Sequence, residues 1–318
     1  MALPASFEGK LRIPAVAAPM FLVSTPELVI EACRAGVVGT FPALNQRTTE
    51  GFEEWLDQIQ SALAADNIET PFGVNLIVHR SNPRLQADLE ICIKKKVPLI
   101  ITSLGAVADL VDAVHAYGGI VFHDVIMLRH ARKAAAAGVD GLIAVCTGAG
   151  GHAGQTNPLA LVQEIRDFYD GTILLSGTIS NGAQIVAAQA MGADLAYLGT
   201  RFINTKEGAA ADEFQEMICE SRAADIVYTS AVSGVHANFL GQSLINNGLD
   251  PEKIKSMEGK VQLKGISDEA RAWKTIWSAG QGVGAITDVP TTAELCNRLR
   301  TEYLEAIDDL SKKAKAFE

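Results

Sequence analysis

Gly141-Leu142-Ile143-Ala144-Val145-Cys146 is an apolar run of strand length, and Gly148-Ala149-Gly150-Gly151-His152-Ala153-Gly154 follows almost at once. The first stretch reads as a strand buried on both faces. The second holds four glycines in seven residues, a backbone against which a flat ligand could lie. His152 is the side chain of that loop that exchanges protons near neutral pH. A histidine cradled by glycines at a strand end reads as an active-site element, because functional residues gather on loops held by a rigid scaffold.

Working outward, the same kind of apolar run recurs along the chain. Ile13–Pro19 reads as strand 1, ending at Met20. Val37–Thr40, Phe72–Leu76, Pro98–Thr102, Gly119–His123, Leu142–Cys146, Thr172–Ser176 and Leu195–Leu198 read as strands 2 to 8. Amphipathic stretches alternate with them: Pro26–Ala35, Thr49–Ala65, Pro83–Lys96, Val107–Tyr117, Met127–Ala137, Pro158–Phe168, Gly182–Met191 and Gly208–Ala223. Thr25 is placed to cap the first helix, with Pro26 at its first position and Gly36 ending it. Eight strand–helix units predict an α/β fold, the (β/α)₈ TIM barrel. An open doubly wound sheet would need fewer units and a glycine loop after strand 1. Met20-Phe21-Leu22-Val23 contains no glycine.

Such a barrel takes about 250 residues, and the surplus lies after strand 8. Residues 1–224 and 273–318 are expected to form the barrel, and 225–272 a small, mostly helical lid domain over its mouth. A second glycine loop follows, Trp277-Ser278-Ala279-Gly280-Gln281-Gly282-Val283-Gly284. Thr291–Lys315 reads as a solvated outer helix.

Composition excludes several classes. The chain has 318 residues, 48% hydrophobic, enough for a large core. Its net charge is −10 without a basic stripe, which argues against nucleic acid. Cys33, Cys92, Cys146, Cys219 and Cys296 are scattered, as reduced thiols of a cytoplasmic protein would be. Met1 to Lys10 lacks the pattern of a signal peptide, and no apolar run is long enough to span a membrane. A homodimer is compatible with the sequence.

In a TIM barrel the site lies at the C-terminal strand ends, often with a phosphate between the loops after strands 7 and 8. Those loops read Ser176-Gly177-Thr178 and Gly199-Thr200-Arg201. Their glycines admit an anion to the backbone N–H groups, their threonines add hydroxyls, and the helix after strand 7 points its positive end there. Met20, Asn75, Ser103, His123, Asp124 and His152 are candidates to line the mouth. His123, Asp124, His130 and His152 have no spacing that calls for a metal, and none is expected. His79, His115 and His236 read as surface or loop residues. Gly148 to Ala153 also fits the dinucleotide fingerprint G-x-G-x-x-A, but the fingerprint should open a helix at once. Here Gly154 to Asn157 intervene.

Taken in order, Ala17-Ala18-Pro19-Met20, Gly148 to Gly154, Gly199-Thr200-Arg201-Phe202 and Ser278 to Gly284 resemble the nitronate monooxygenases, formerly called 2-nitropropane dioxygenases. The resemblance covers nearly the whole chain. It implies a TIM barrel holding non-covalent FMN. By position, it implies that Met20, Asn75, Ser176, Gly177, Gly199 and Thr200 hold the flavin, with Gln281 nearby and His152 as the active-site histidine. Ser103, Asp124, Gly150, Gly151 and Thr178 join the expected cofactor set. Some relatives carry a lysine where Asp124 stands and a second glycine where Thr178 stands. The implied reaction is FMN-dependent oxidation of alkyl nitronates, and of nitroalkanes if His152 removes their α-proton, by O₂ to carbonyl compounds and nitrite. Two other readings remain: an FMN-dependent NAD(P)H reductase of quinones or enoyl thioesters, and a flavin-free lyase or isomerase gripping a substrate phosphate.

Overall fold

The computed structural model describes residues 2–105, 108–254 and 275–317. Eight parallel strands close into a barrel in chain order. They are β1 (Ala15–Ala17), β2 (Val38–Pro42), β3 (Gly73–Ile77), β4 (Leu99–Ser103), β5 (Ile120–Val125), β6 (Gly141–Val145), β7 (Thr172–Ser176) and β8 (Leu195–Leu198). β8 closes the ring on β1, with Tyr197 opposite Val16. The strands read as continuous apolar runs because both faces are covered. Val16, Leu99, Ile101, Phe122, Ile143, Leu174 and Leu195 fill the interior, while Ala15, Val74, Ile100, Val121, Leu142 and Ile173 meet the helices. β1 is shorter than the Ile13–Pro19 run because Pro14 and Pro19 bring no N–H to the ladder.

Around the barrel run α1 (Pro26–Arg34), α2 (Thr49–Ala65), α3 (Leu85–Lys94), α4 (Ala108–His115), α5 (Leu128–Ala136), α6 (Pro158–Arg166) and α7 (Gly182–Ala190). Side-chain caps set several starts: Thr25 accepts from Leu28 N at 3.0 Å, Asn157 from Leu159 N at 2.9 Å and Asn181 from Gln184 N at 2.9 Å. The eighth unit departs from expectation. The helix expected over Gly208–Ala223 is the shorter α9 (Asp212–Glu220), and a four-residue turn of helix, α8 (Thr200–Ile203), precedes it.

The residues after α9 begin as sheet. β9 (Ile226–Thr229) and β10 (Ala237–Leu240) pair antiparallel, and β10 pairs in turn with the two-residue strand Gly151–His152. Two short helices follow, α10 (Gly241–Asn246) and α11 (Pro251–Ile254). Positions 255–272 of the expected lid lie outside the described residues. Its described part combines a strand pair with two short helices.

The tail forms α12 (Thr292–Ala314), opened by a capping box between Thr291 and Glu294. The sequence suggests a solvated outer helix. Instead its first half buries Thr292, Leu295, Cys296 and Leu299 and packs against α7 and α1, the place of an eighth ring helix. At the other end of the barrel Phe7 plugs the floor, edge-on to Phe122 with centroids 5.8 Å apart. The open end is therefore the C-terminal one.

Candidate active site

Along a strand successive side chains alternate between barrel interior and helix layer. Asn75, Ser103 and Asp124 stand on the inner face of three neighbouring strands, β3, β4 and β5. Asn75 Nδ2 donates to Ser103 Oγ at 2.8 Å, and Ser103 Oγ donates to Asp124 Oδ2 at 2.5 Å. The second oxygen, Oδ1, is buried without a hydrogen-bond partner among the described residues. Burial raises the Asp124 carboxyl to about 6, opposed only by the Ser103 hydroxyl. His123, one residue earlier, faces the other way. Its Nδ1 lies 2.7 Å from Thr102 Oγ1, and burial, then the nearby His130, lowers it to about 4. His123 is thus a neutral packed histidine and does not line the mouth.

The raised carboxyl gives a stability prediction. A folded-state value above the ordinary 3.8 contributes stability that is complete at low pH and is lost as pH rises through about 6. In cofactor-free protein, Asp124→Asn should remove that loss and stabilise the fold at neutral pH, by on the order of 3 kcal/mol at 1.36 kcal/mol per unit. Denaturant midpoints of both proteins between about pH 4 and pH 8 check this; curves that stay parallel refute it.

The glycine loop after β6 is locked to the second glycine loop. Gln281 N donates to the Gly148 carbonyl at 2.8 Å, Gly280 N to Thr200 Oγ1 at 2.9 Å, and Gly151 N to Ser278 Oγ at 2.6 Å. Ser278 Oγ donates to the Asn238 carbonyl at 2.6 Å, and Asn238 Nδ2 to the Ala149 carbonyl at 2.7 Å. A Cβ on Gly148 would overlap Thr178 Oγ1 and lie 2.9 Å from Gln281 Oε1; one on Gly150 would lie 2.9 Å from Gly280 N. The space these two glycines clear is thus filled by protein, where the sequence suggests a ligand. Gly199 differs. Its φ is −99°, and a Cβ there would meet nothing nearer than Ala18 Cβ at 3.8 Å. Nothing among the described residues requires glycine at that position. Thr200 Oγ1 accepts from Gly280 N and keeps its own proton to donate. Thr178 sits at φ 61°, the left-handed region, which explains a glycine preference there.

His152 is exposed, on the short strand whose partner is Ala237. Ser233 Oγ lies 3.5 Å from its Nε2. The residues after β8 therefore set where this imidazole stands. Cys146, just before the loop, is buried with its thiol pushed up to about 12, so it is no nucleophile.

The family model of nitronate monooxygenase matches residues 82–302. The chain belongs to the nitronate monooxygenase family. It is similar over 93% of its length, at 26% identity, to the (3aS,4S,5R,7aS)-5-hydroxy-7a-methyl-1-oxo-octahydro-1H-indene-4-carboxyl-CoA dehydrogenase of Rhodococcus jostii (strain RHA1), covering 94% of that protein. It is 24% identical to the nitronate monooxygenase of Paraburkholderia phytofirmans (strain DSM 17436 / LMG 22146 / PsJN), covering 95% of each chain. The solved nitroalkane oxidase from Streptomyces ansochromogenes shares the fold, with a TM-score of 0.80 and 23% identity over 96% of this chain and 100% of that one. Members of the family are flavin-dependent oxidoreductases, and this chain is one. The flavin-free lyase or isomerase reading therefore lapses.

In this nitronate monooxygenase family member, the Gly-Thr-Arg-Phe segment divides by role. Gly199 and Thr200 face the mouth region, whereas Arg201 and Phe202 are buried in the fold. Arg201 donates to Asp288 Oδ1 at 2.9 Å, and Arg298 donates to the same carboxylate at 2.7 Å. Asn45 is a residue that sequence reasoning missed. It donates to the carbonyls of Met20 at 3.1 Å and Ser24 at 2.9 Å, and accepts from Leu22 N at 2.9 Å. It clamps the turn that presents Met20, with Leu22 at φ 62°. An asparagine closing the turn after strand 2 was the available signal. Asn238 was missed too, and Ser278, named as part of the second glycine loop, was given no role of its own. His79, His115 and His236 are exposed. Among the described residues no cluster of His, Cys, Asp and Glu is placed to hold a metal, and no helix is long and apolar enough to cross a membrane.

Proposed function

We propose that this chain holds FMN at the C-terminal mouth and oxidises alkyl nitronates with dioxygen to carbonyl compounds and nitrite. The observation that carries the reading is Gly199, a glycine that nothing among the described residues requires, beside a threonine hydroxyl with a proton to give. In this reading Gly177, Thr178, Gly199 and Thr200 hold the phosphate. Met20, Asn75, Ser103, Asp124 and Ser176 line the ring, and Gly150, Gly151 and Gln281 form the wall behind it. Asp124 Oδ1, buried and unpartnered among the described residues, suits a bound group that presents a polar atom to it. Bound FMN would supply the electron acceptor and the route to dioxygen. His152 would take the α-proton of a nitroalkane or, protonated, attract the anionic nitronate. Residues 225–272 would act as the lid, a reading supported by the pairing of β10 with the glycine loop. Scattered, unpaired cysteines fit a cytoplasmic enzyme.

Purified protein should be yellow, and acid should release FMN and not FAD. A colourless protein that ignores added FMN overturns the reading. A second reading, an NAD(P)H-dependent reductase of quinones or enoyl thioesters, is favoured by one observation: the Rhodococcus relative, named for a CoA ester, aligns over nearly the whole chain. Anaerobic mixing separates the two. Bleaching of the flavin by a nitronate and not by NADH is the expected result; bleaching by NADH alone favours the reductase.

A further inference from the structure

Asp124 is a titratable group of the inner face to which the proposed reaction gives no proton to move. It stands on the interior side of β5, in the layer of Asn75 and Ser103. The hydrogen bonds run in one direction, from the Asn75 amide to the Ser103 hydroxyl to Asp124 Oδ2. Ser103 has a single proton and spends it on Asp124, so Oδ2 is an acceptor only. Oδ1 has no partner among the described residues and is where a proton can be held. The titratable group that faces this carboxyl is Tyr197 on β8. Burial first, then the charge of Asp124, holds its phenol well above the usual range, so it stays neutral. Among the described residues, burial and the Ser103 hydroxyl set this carboxyl, and no described cation adds to them. A negative charge placed beside it thus meets a buried carboxylate.

We propose that Asp124 is the proton acceptor that balances charge when the cofactor in the barrel mouth is reduced. For each pair of electrons that the bound cofactor would take from its reductant, together with one proton, the carboxylate would take one further proton from bulk solvent at Oδ1. The two added negative charges are then matched by two protons. This rests on the FMN reading above. The driving force is like-charge repulsion at low local dielectric, which favours the neutral acid once the cofactor carries an added charge. The burial that already raises this carboxyl brings its titration into the range of cellular pH.

The test is the reduction potential of the FMN-loaded protein from about pH 5 to about pH 9, for wild type, Asp124→Asn and Ser103→Ala. Above about pH 6 the wild-type potential should fall more steeply than that of Asp124→Asn. The excess is a tenfold change in the two-electron equilibrium per pH unit, about 30 mV. Asp124→Asn, neutral throughout, should lack the steeper window. Ser103→Ala removes the bond that favours the carboxylate and should shift the window to higher pH, a movement that a purely structural role would not cause. Parallel slopes in all three, with FMN bound, overturn this inference and leave the proposed function standing. A wild-type protein that takes up no FMN overturns both.

Discussion

Gly199→Asp should leave the protein folded and abolish FMN binding. The first half of this expectation comes from the backbone. Gly199 has φ −99°, a conformation open to any residue, and a Cβ there would rest 3.8 Å from Ala18 Cβ and 4.0 Å from Met20 Cγ, ordinary contact distances. The melting temperature of the cofactor-free variant should stay close to wild type. The second half is electrostatic. The new carboxylate would stand where the loops after β7 and β8 are proposed to receive the phosphate. Two unit charges 4 Å apart repel by about 4 kcal/mol at an effective dielectric near 20, roughly a thousandfold in affinity. Gly199→Ala is the control: it adds a methyl group without charge and should weaken binding far less. FMN titrations of the three proteins, followed by flavin fluorescence, decide the matter. If Gly199→Asp binds FMN as tightly as wild type, the phosphate is not held by these loops.

Gly199 also marks what could and could not be read from the sequence. The barrel was legible because each of its strands is a buried apolar run of its own, and eight of them with helices between leave little choice of fold. Which glycine serves a ligand was not legible. Gly148, Gly150 and Gly199 look alike in sequence, yet the first two make room for Thr178, Gln281 and Gly280, and of the three only Gly199 has room for a side chain among the described residues. The β9–β10 pair was hidden for a different reason. Its third strand is Gly151–His152, two residues in a loop far back in the chain. No local pattern announces so short and distant a partner. The opposite fates of His123 and Asp124 were legible in principle, since the period of two sends neighbours on a strand to opposite faces. Grouping both at the mouth ignored that period.

His152→Asn should separate two substrates that wild type handles at one site. The imidazole stands on a strand fixed by Ala237 on one side, with Ser233 Oγ 3.5 Å from Nε2. Asparagine keeps a polar side chain and leaves the backbone pairing intact, so cofactor content should be unchanged. A nitroalkane must lose its α-proton before it can be oxidised. If His152 is the base, that turnover should fall by about 10²- to 10⁴-fold, the usual worth of a general base. A nitronate arrives already deprotonated. Its turnover should fall much less, mainly through weaker attraction of the anion once the histidine's charge is gone. The measurement is turnover of matched nitroalkane and nitronate forms by both proteins, with FMN content determined for each. Equal losses on the two substrates, with flavin bound, would show that His152 is no carbon base and acts by placing the substrate. Unchanged turnover on both would reduce the glycine–histidine loop to a structural lock between the barrel and the residues that follow β8.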